Sequence, residues 1–443
     1  MENKQINCIV PQLMNSRVCL VGRLNARQGL KHEELDEPTS QWSRMEMTNE
    51  VFTKLQRTYY PSLLTSMNTI SGKEIQSVFR YEMQISGKRD NLIYLPSKNT
   101  QEKRLYPCEI KNVRLWVFPS FDIILFSIEI EEHVKNFSDL TLMHSTWKKW
   151  NEEYVNIHTQ ELDDLLKPLL QLTNSSKTSD IVYAGTKLRQ YQVVESNVLD
   201  DDLLYEIGTF SSIGVVNDNN LTRSYKPSND YYQKIIKENI VSAYSNWKAL
   251  ALNDSFTVLT LNNYYSLSEM DEYDTEGNLK DTGYRYFELL YMRCMFEEYY
   301  CFDRNNLYRE SDKIDNERIE REISSMEKHY FFDDMSYDFL PPLMYRAMAK
   351  GLELQKDREQ LTQHIKQSLR ETRQGINNTA VNFVQIFAVF SVFWTIRDII
   401  LAICPCMDKA VSAIIAGLVS LVCTIILLKW PQFFITFFSK KIK

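Results

Sequence analysis

The sequence predicts an α/β domain followed by a long stalk helix and two C-terminal apolar helices of membrane-spanning length. Three observations predict it. The first third alternates or runs apolar with β-branched residues, as in RVCLVGRL (17–24), EIQSVFRYEM (74–83), EIKNVRLWVF (109–118) and DIILFSIEIE (122–131), a pattern that favours strands. From Tyr284 the chain turns to helix formers. It then carries two apolar runs, 380–403 and 410–428, separated by the short loop 404–409. A bilayer core is crossed by a helix of about 20 apolar residues, and both runs meet that length.

Composition sets the frame. The 443 residues carry a net charge of −7 and an ordinary 44% of hydrophobic residues, so most of the chain is expected to read as a soluble protein, with the C-terminus the exception. MENKQINCIVPQLM has no basic region leading into an apolar stretch, so no signal peptide is expected. Residues 1–379 are then expected on the cytosolic side, and two spans return the chain to that side. Lys440, Lys441 and Lys443 follow the second run, against only Asp408 and Lys409 in the loop. That is the bias of the positive-inside rule. The expected localisation is a multi-pass protein of the cell inner membrane with both termini cytoplasmic and the lipid bilayer as partner. Eight scattered cysteines without a CxxC pair exclude a zinc or disulfide frame.

Further elements follow in order. Helices are expected over 138–150 and 158–172, and strands at IVYAG (181–185), LLYEIGTF (203–210) and SFTVLTL (255–261). SEMDEYDTEGNLKDTG (268–283) imitates part of a calcium loop but has Gly283 where the bidentate Glu belongs, so a hairpin turn is expected. The domain reading is a sensor domain over 1–283, a helical region over 284–379, a first span over 380–403, the loop 404–409, a second span over 410–438 and a basic tail over 439–443. Pro341 and Pro342 fit a helix start. The 62 residues from there to Pro405 hold only two glycines. One continuous helix of that length would measure about 90 Å.

On a helical wheel, Gln360, His364, Gln367, Glu371, Gln374, Asn378, Asn382 and Gln385 share one stripe. Leu361, Ile365, Leu369 and Ile376 lie opposite. Amides inside a membrane need partners or water. Copies packed around an axis would supply them, with Glu371, Gln374, Asn378, Asn382, Gln385, Val389, Val392 and Ile396 lining a pore and Arg397 and Asp398 at its outer mouth. The other reading is that Asn382 and Gln385 bond between helices of a non-conducting receptor. The sequence shows no HExxH, GxSxG or Walker loop and no His/Cys metal cluster. No catalytic residue, cofactor or metal is therefore assigned. GTFSSIG (208–214) reads as a turn rather than a phosphate loop. Net acidity and the lack of a basic, aromatic-interleaved patch exclude nucleic-acid binding as the expectation.

This arrangement resembles the CorA superfamily of two-span ion channels over residues ~285–443. The resemblance implies a homo-oligomer, typically a pentamer, around a central pore. The diagnostic Gly-Met-Asn is missing, and Trp394-Thr395-Ile396-Arg397-Asp398 stands in its place. That departure moves divalent-cation (magnesium) transport to an alternative. It shifts the expectation to the family's membrane effectors of type III CRISPR antiviral defence. These are gated by a nucleotide second messenger, a cyclic oligoadenylate or an S-adenosylmethionine–AMP conjugate.

Overall fold

The structure is a computed structural model. It describes residues 10–27, 30–83, 92–96, 105–148, 167–173, 188–210, 227–261, 286–310, 316–331, 335–403, 411 and 414–419. The chain divides into two compact units, Met1–Thr362 and Gln363–Lys443.

Among the described residues the first unit has twelve strands: β1 Leu13–Leu24, β2 Trp42–Arg44, β3 Glu46–Met47, β4 Thr69–Ile70, β5 Phe79–Met83, β6 Leu92–Pro96, β7 Leu105–Phe118, β8 Ile123–Glu132, β9 Arg189–Ser196, β10 Ile240–Tyr244, β11 Trp247–Ala251 and β12 Ser255–Leu261. Ten form one sheet in the order β10-β11-β12-β9-β1-β8-β7-β5-β2, with β6 paired to β7, while β3 and β4 pair separately. Every pairing in the large sheet is antiparallel except β12 with β9. The helices are α1 Asn49–Leu55, α2 Pro61–Met67, α3 Phe137–Lys148, α4 Asp201–Thr209, α5 Asn229–Asn239, α6 Tyr286–Glu310, α7 Asn316–His329, α8 Leu340–Gly351 and α9 Leu354–Ile403.

The sheet has two unlike faces, because side chains alternate along each strand. Val18, Leu20, Val113, Leu115, Phe126, Ile128 and Ile130 point into an apolar core that also takes Met143 and Trp147 of α3. Val194, Leu250 and Leu259 extend that side against Leu203, Leu204 and Ile207 of α4. The opposite face receives α6. There Phe118 stacks on Phe296 at 4.0 Å, and Tyr191 and Phe256 flank Tyr291. The same face carries buried charge: Arg114 lies 3.1 Å from Glu288, and Arg17 lies 3.2 Å from Glu129.

Several sequence expectations are met in these elements. The runs at 17–24, 109–118 and 122–131 fall on β1, β7 and β8, and 255–261 is β12. LLYEIGTF is corrected: it belongs to α4. Asp200 caps that helix, its side chain accepting the Leu203 N–H, and Asp201 and Asp202 occupy the first turn. Acidic groups favour a helix N-terminus, and this outweighed the β-prone apolar residues. IVYAG and 268–283 lie outside the described residues.

The membrane architecture is also corrected. Among the described residues no helix is long and apolar enough to cross a membrane. The expected pattern of an α/β domain with two transmembrane helices gives way to a large mixed sheet with helices on both faces. The inner-membrane, multi-pass localisation and the membrane-channel description go with it. The expected first span is the C-terminal part of α9, where Asn382, Gln385, Arg397 and Asp398 interrupt the apolar residues. The expected second span lies outside the described residues apart from Val411 and 414–419. The long helix itself begins at Leu354, not at the prolines: Pro341 and Pro342 start the separate helix α8.

Gly351 holds α8 to the sheet. A Cβ there would meet the Ala251 carbonyl carbon at 2.7 Å and the Leu252 nitrogen at 2.9 Å. These are backbone atoms that have little room to retreat. Gly351→Ala is therefore expected to cost about 1–3 kcal/mol, read as a lowered urea midpoint at unchanged slope. An unchanged midpoint would mean that α8 is not seated this closely on β11.

Candidate functional site

The site sits where α8 ends and α9 begins. Leu352 and Glu353 separate the two helices, and Glu353 adopts the left-handed conformation at φ 56°. Backbone bonds tie the turn together: Leu352 N–H donates to Met348, Glu353 N–H to Lys350, and Lys356 N–H to Glu353. A non-glycine residue in this region costs about 1–2 kcal/mol. Gly351 permits the close approach to β11, and buried Leu354 anchors the next helix.

In the angle between the helices lies an open cleft of about 910 Å³, within the range of small-molecule sites. Arg346, Lys350, Lys356 and Arg358 line it with Glu353 and Glu359. Four cationic and two anionic side chains face the cleft, while Glu238 and Glu297 pair with Lys350 and Arg358 from outside its wall. Lys356 is exposed, and its pKa is raised by the hydrogen bond and charge of Glu353 at 2.8 Å. Lys350 donates to the Glu238 carbonyl at 2.9 Å and lies 3.6 Å from its carboxylate.

Behind the cleft is a buried polar junction. Glu297 of α6 is wholly buried. It accepts from Arg293 Nε at 2.7 Å, from the Tyr345 hydroxyl at 3.2 Å and from Arg358. Arg358 also donates to the Tyr345 oxygen at 2.6 Å and lies over the Phe331 ring, 4.8 Å from its centroid. Arg293 lies over the Tyr330 ring at 4.9 Å. Burial works against the Arg358 charge, but Glu297 outweighs it and raises the guanidinium pKa. For Tyr345, burial and then the Glu297 charge both push the hydroxyl up. The junction therefore consists of a carboxylate, two guanidiniums and a neutral phenol. Arg358 and Tyr345 belong both to it and to the cleft wall.

A second charged cluster borders α6 on the sheet side. Arg189 bonds Asp254 at 2.8 Å and also Glu298, and Lys148 bonds Asp254. Burial raises the Glu298 carboxyl pKa, while Arg189 opposes it and Asp357 and Asp254 add to it. On the far face, His144 meets Glu132 at 2.8 Å, and Trp147 Nε1 donates to the same carboxylate. All three side chains are shut off from solvent, so this cluster is structural. Burial pushes the Cys294 and Cys301 thiols up, which makes them poor nucleophiles. Among the described residues no group of His, Cys, Asp and Glu could hold a metal ion.

The residues singled out from the sequence fall elsewhere. Glu371, Gln374, Asn378, Asn382, Gln385, Val389 and Val392 lie on α9, but their side chains are outside the described set. Ile396 is half-buried, Arg397 lies over the Trp394 ring at 4.8 Å, and Asp398 is exposed. The cleft cations, Tyr345 and Glu297 were all missed. Reading 343–404 as one uninterrupted stalk hid the turn that gathers them. A signal was present: Gly351 follows the basic RAMAK at the end of a helical pattern, as a helix stop does.

Comparison with protein-family models, with curated proteins and with solved structures finds no match.

Glu298 makes a testable case. A carboxyl whose folded pKa is raised contributes stability below its unfolded value of 4.5. That contribution is lost as pH climbs through the folded value. Urea unfolding of wild type and Glu298→Gln between about pH 4 and pH 7 should show the variant gaining relative stability as pH rises. A pH-independent difference would contradict the raised pKa.

Proposed function

We propose that residues 1–362 form a ligand-responsive sensor module whose ligand is a small, phosphate-bearing anion bound in the cleft between α8 and α9. The observation that carries this reading is the gathering of four cationic side chains, Arg346, Lys350, Lys356 and Arg358, on one cleft wall beside the Arg358–Tyr345–Glu297 junction. Guanidinium forks match phosphate oxygens in a way that point charges do not. A ligand in the cleft would lie beside the turn at Glu353 and against the first turn of α9. A nucleotide second messenger, the ligand class that the CorA-like resemblance implies, has this chemistry. The protein then binds the messenger and does not convert it.

Titration calorimetry of the full chain with cyclic tetra-adenylate and with inorganic pyrophosphate tests the reading. Binding should weaken as salt is raised, because the contacts are partly exposed charge pairs. Arg346→Gln combined with Lys350→Gln should lose at least tenfold in affinity, about 1.4 kcal/mol. Wild-type affinity in the double variant would remove the cleft from consideration.

A further inference from the structure

Resting on that reading, we infer that the start of α8 is a base-stacking subsite for the same ligand. Phe339 and Tyr244 hold a nucleobase there while the cleft cations hold its phosphates. Phe339 takes a helical conformation immediately ahead of Leu340, the first residue of α8. At 3.6 residues per turn, Phe339, Leu343, Arg346 and Lys350 fall within about 60° of one another around the helix. All four are exposed. One stripe of α8 therefore carries two apolar side chains at its start and two cations of the cleft wall at its end. β10 runs beside this stripe. Lys350 donates to the carbonyl of Glu238, just ahead of the strand. At the strand's other end the Tyr244 ring lies 6.1 Å from the Phe339 ring.

A single exposed aromatic is ordinary surface. Here Phe339 is 63% and Tyr244 43% exposed, and their rings adjoin on the stripe that leads to the cleft. The backbone leading into Phe339 is pinned, because Tyr60 N–H donates to the Met335 carbonyl at 2.9 Å and Tyr337 N–H to the Thr58 carbonyl at 3.1 Å. A held aromatic pair open to water suits a flat ring that stacks on it. Asp338, next to Phe339 in the chain, is exposed, which disfavours a phosphate at this end. The stripe thus orients its ligand, with phosphates toward Arg346 and Lys350 and the base toward Phe339. Arg346 follows Phe339 by seven positions, about 10 Å of helix. That spacing suits a base set off from its phosphates by a ribose. An inorganic phosphate has nothing to offer the aromatic end.

Titration calorimetry of the full chain with ATP and with inorganic tripolyphosphate, both without divalent cation, isolates the base, since each ligand carries three phosphates in a row. Wild type should bind ATP at least tenfold more tightly. Phe339→Ala should weaken ATP at least fivefold, the order expected of one stacked base, and leave tripolyphosphate unchanged. Phe339→Trp should keep the ATP affinity. Tyr244→Ala should lose in the same direction, which keeps the inference testable if Phe339→Ala does not fold. Arg346→Gln combined with Lys350→Gln should weaken both ligands alike. Equal affinity of wild type for the two ligands, or ATP binding at wild-type strength in Phe339→Ala, overturns the base subsite, while tripolyphosphate binding still upholds the cleft. That is also the result expected if these aromatics seat a side chain of a protein partner instead. Wild type binding neither ligand overturns both readings.

Discussion

The Glu297 carboxylate is the constraint on which the rest of this arrangement depends. It sits in the middle of α6, with no exposure to water, where an unpaired charge would be prohibitively costly. It is tolerated because three donors converge on it: Arg293 from its own helix, Tyr345 from α8 and Arg358 from α9. One atom group thus fixes the mutual placement of three helices. Two of these donors, Tyr345 and Arg358, also line the cleft.

That placement needs α6 to be held firmly, and the two-faced sheet does so. One face is a conventional apolar core closed by α3 and α4. The other grips α6 with stacked aromatics and ion pairs along its length, from the buried Arg114–Glu288 near its start to the half-buried Arg23–Asp303 near its end. Buried pairs of this kind add little net stability over apolar packing, but they penalise a wrong register severely. The helix has polar groups on the sheet side and on the α8/α9 side, so it has no single apolar stripe. β11 completes the frame by taking Gly351 of α8 at backbone contact.

Much of the fold was legible in the sequence. The strand runs at β1, β7, β8 and β12 announced themselves by β-branched alternation, and the prolines at α8 marked a helix start. What misled was local. The apolar residues of LLYEIGTF hid the cap at Asp200, although three consecutive acids ahead of an apolar run are a helix signal. The apolar residues of 380–403 suggested a membrane span, although amides and an Arg-Asp pair broke the run. The site was least legible. Its cations come from the two sides of a turn made by Glu353, a residue with no general preference for φ 56°. Their buried partner lies about fifty residues upstream on α6. Nothing in the spacing of Glu297, Tyr345 and Arg358 announces that they meet, because only the packing of α6 under the turn brings them together.

The most direct measurement is a double-mutant cycle on the Glu297–Arg358 pair. Urea unfolding of wild type, Glu297→Gln, Arg358→Gln and the combined variant gives the coupling energy. If Glu297 is the junction that joins α6 to the start of α9, the coupling is about 2 kcal/mol or more, and the double variant is less impaired than the two single effects would sum to. Additive effects, within about 0.5 kcal/mol, would mean that the two side chains do not depend on each other and that the cleft is not built on this carboxylate.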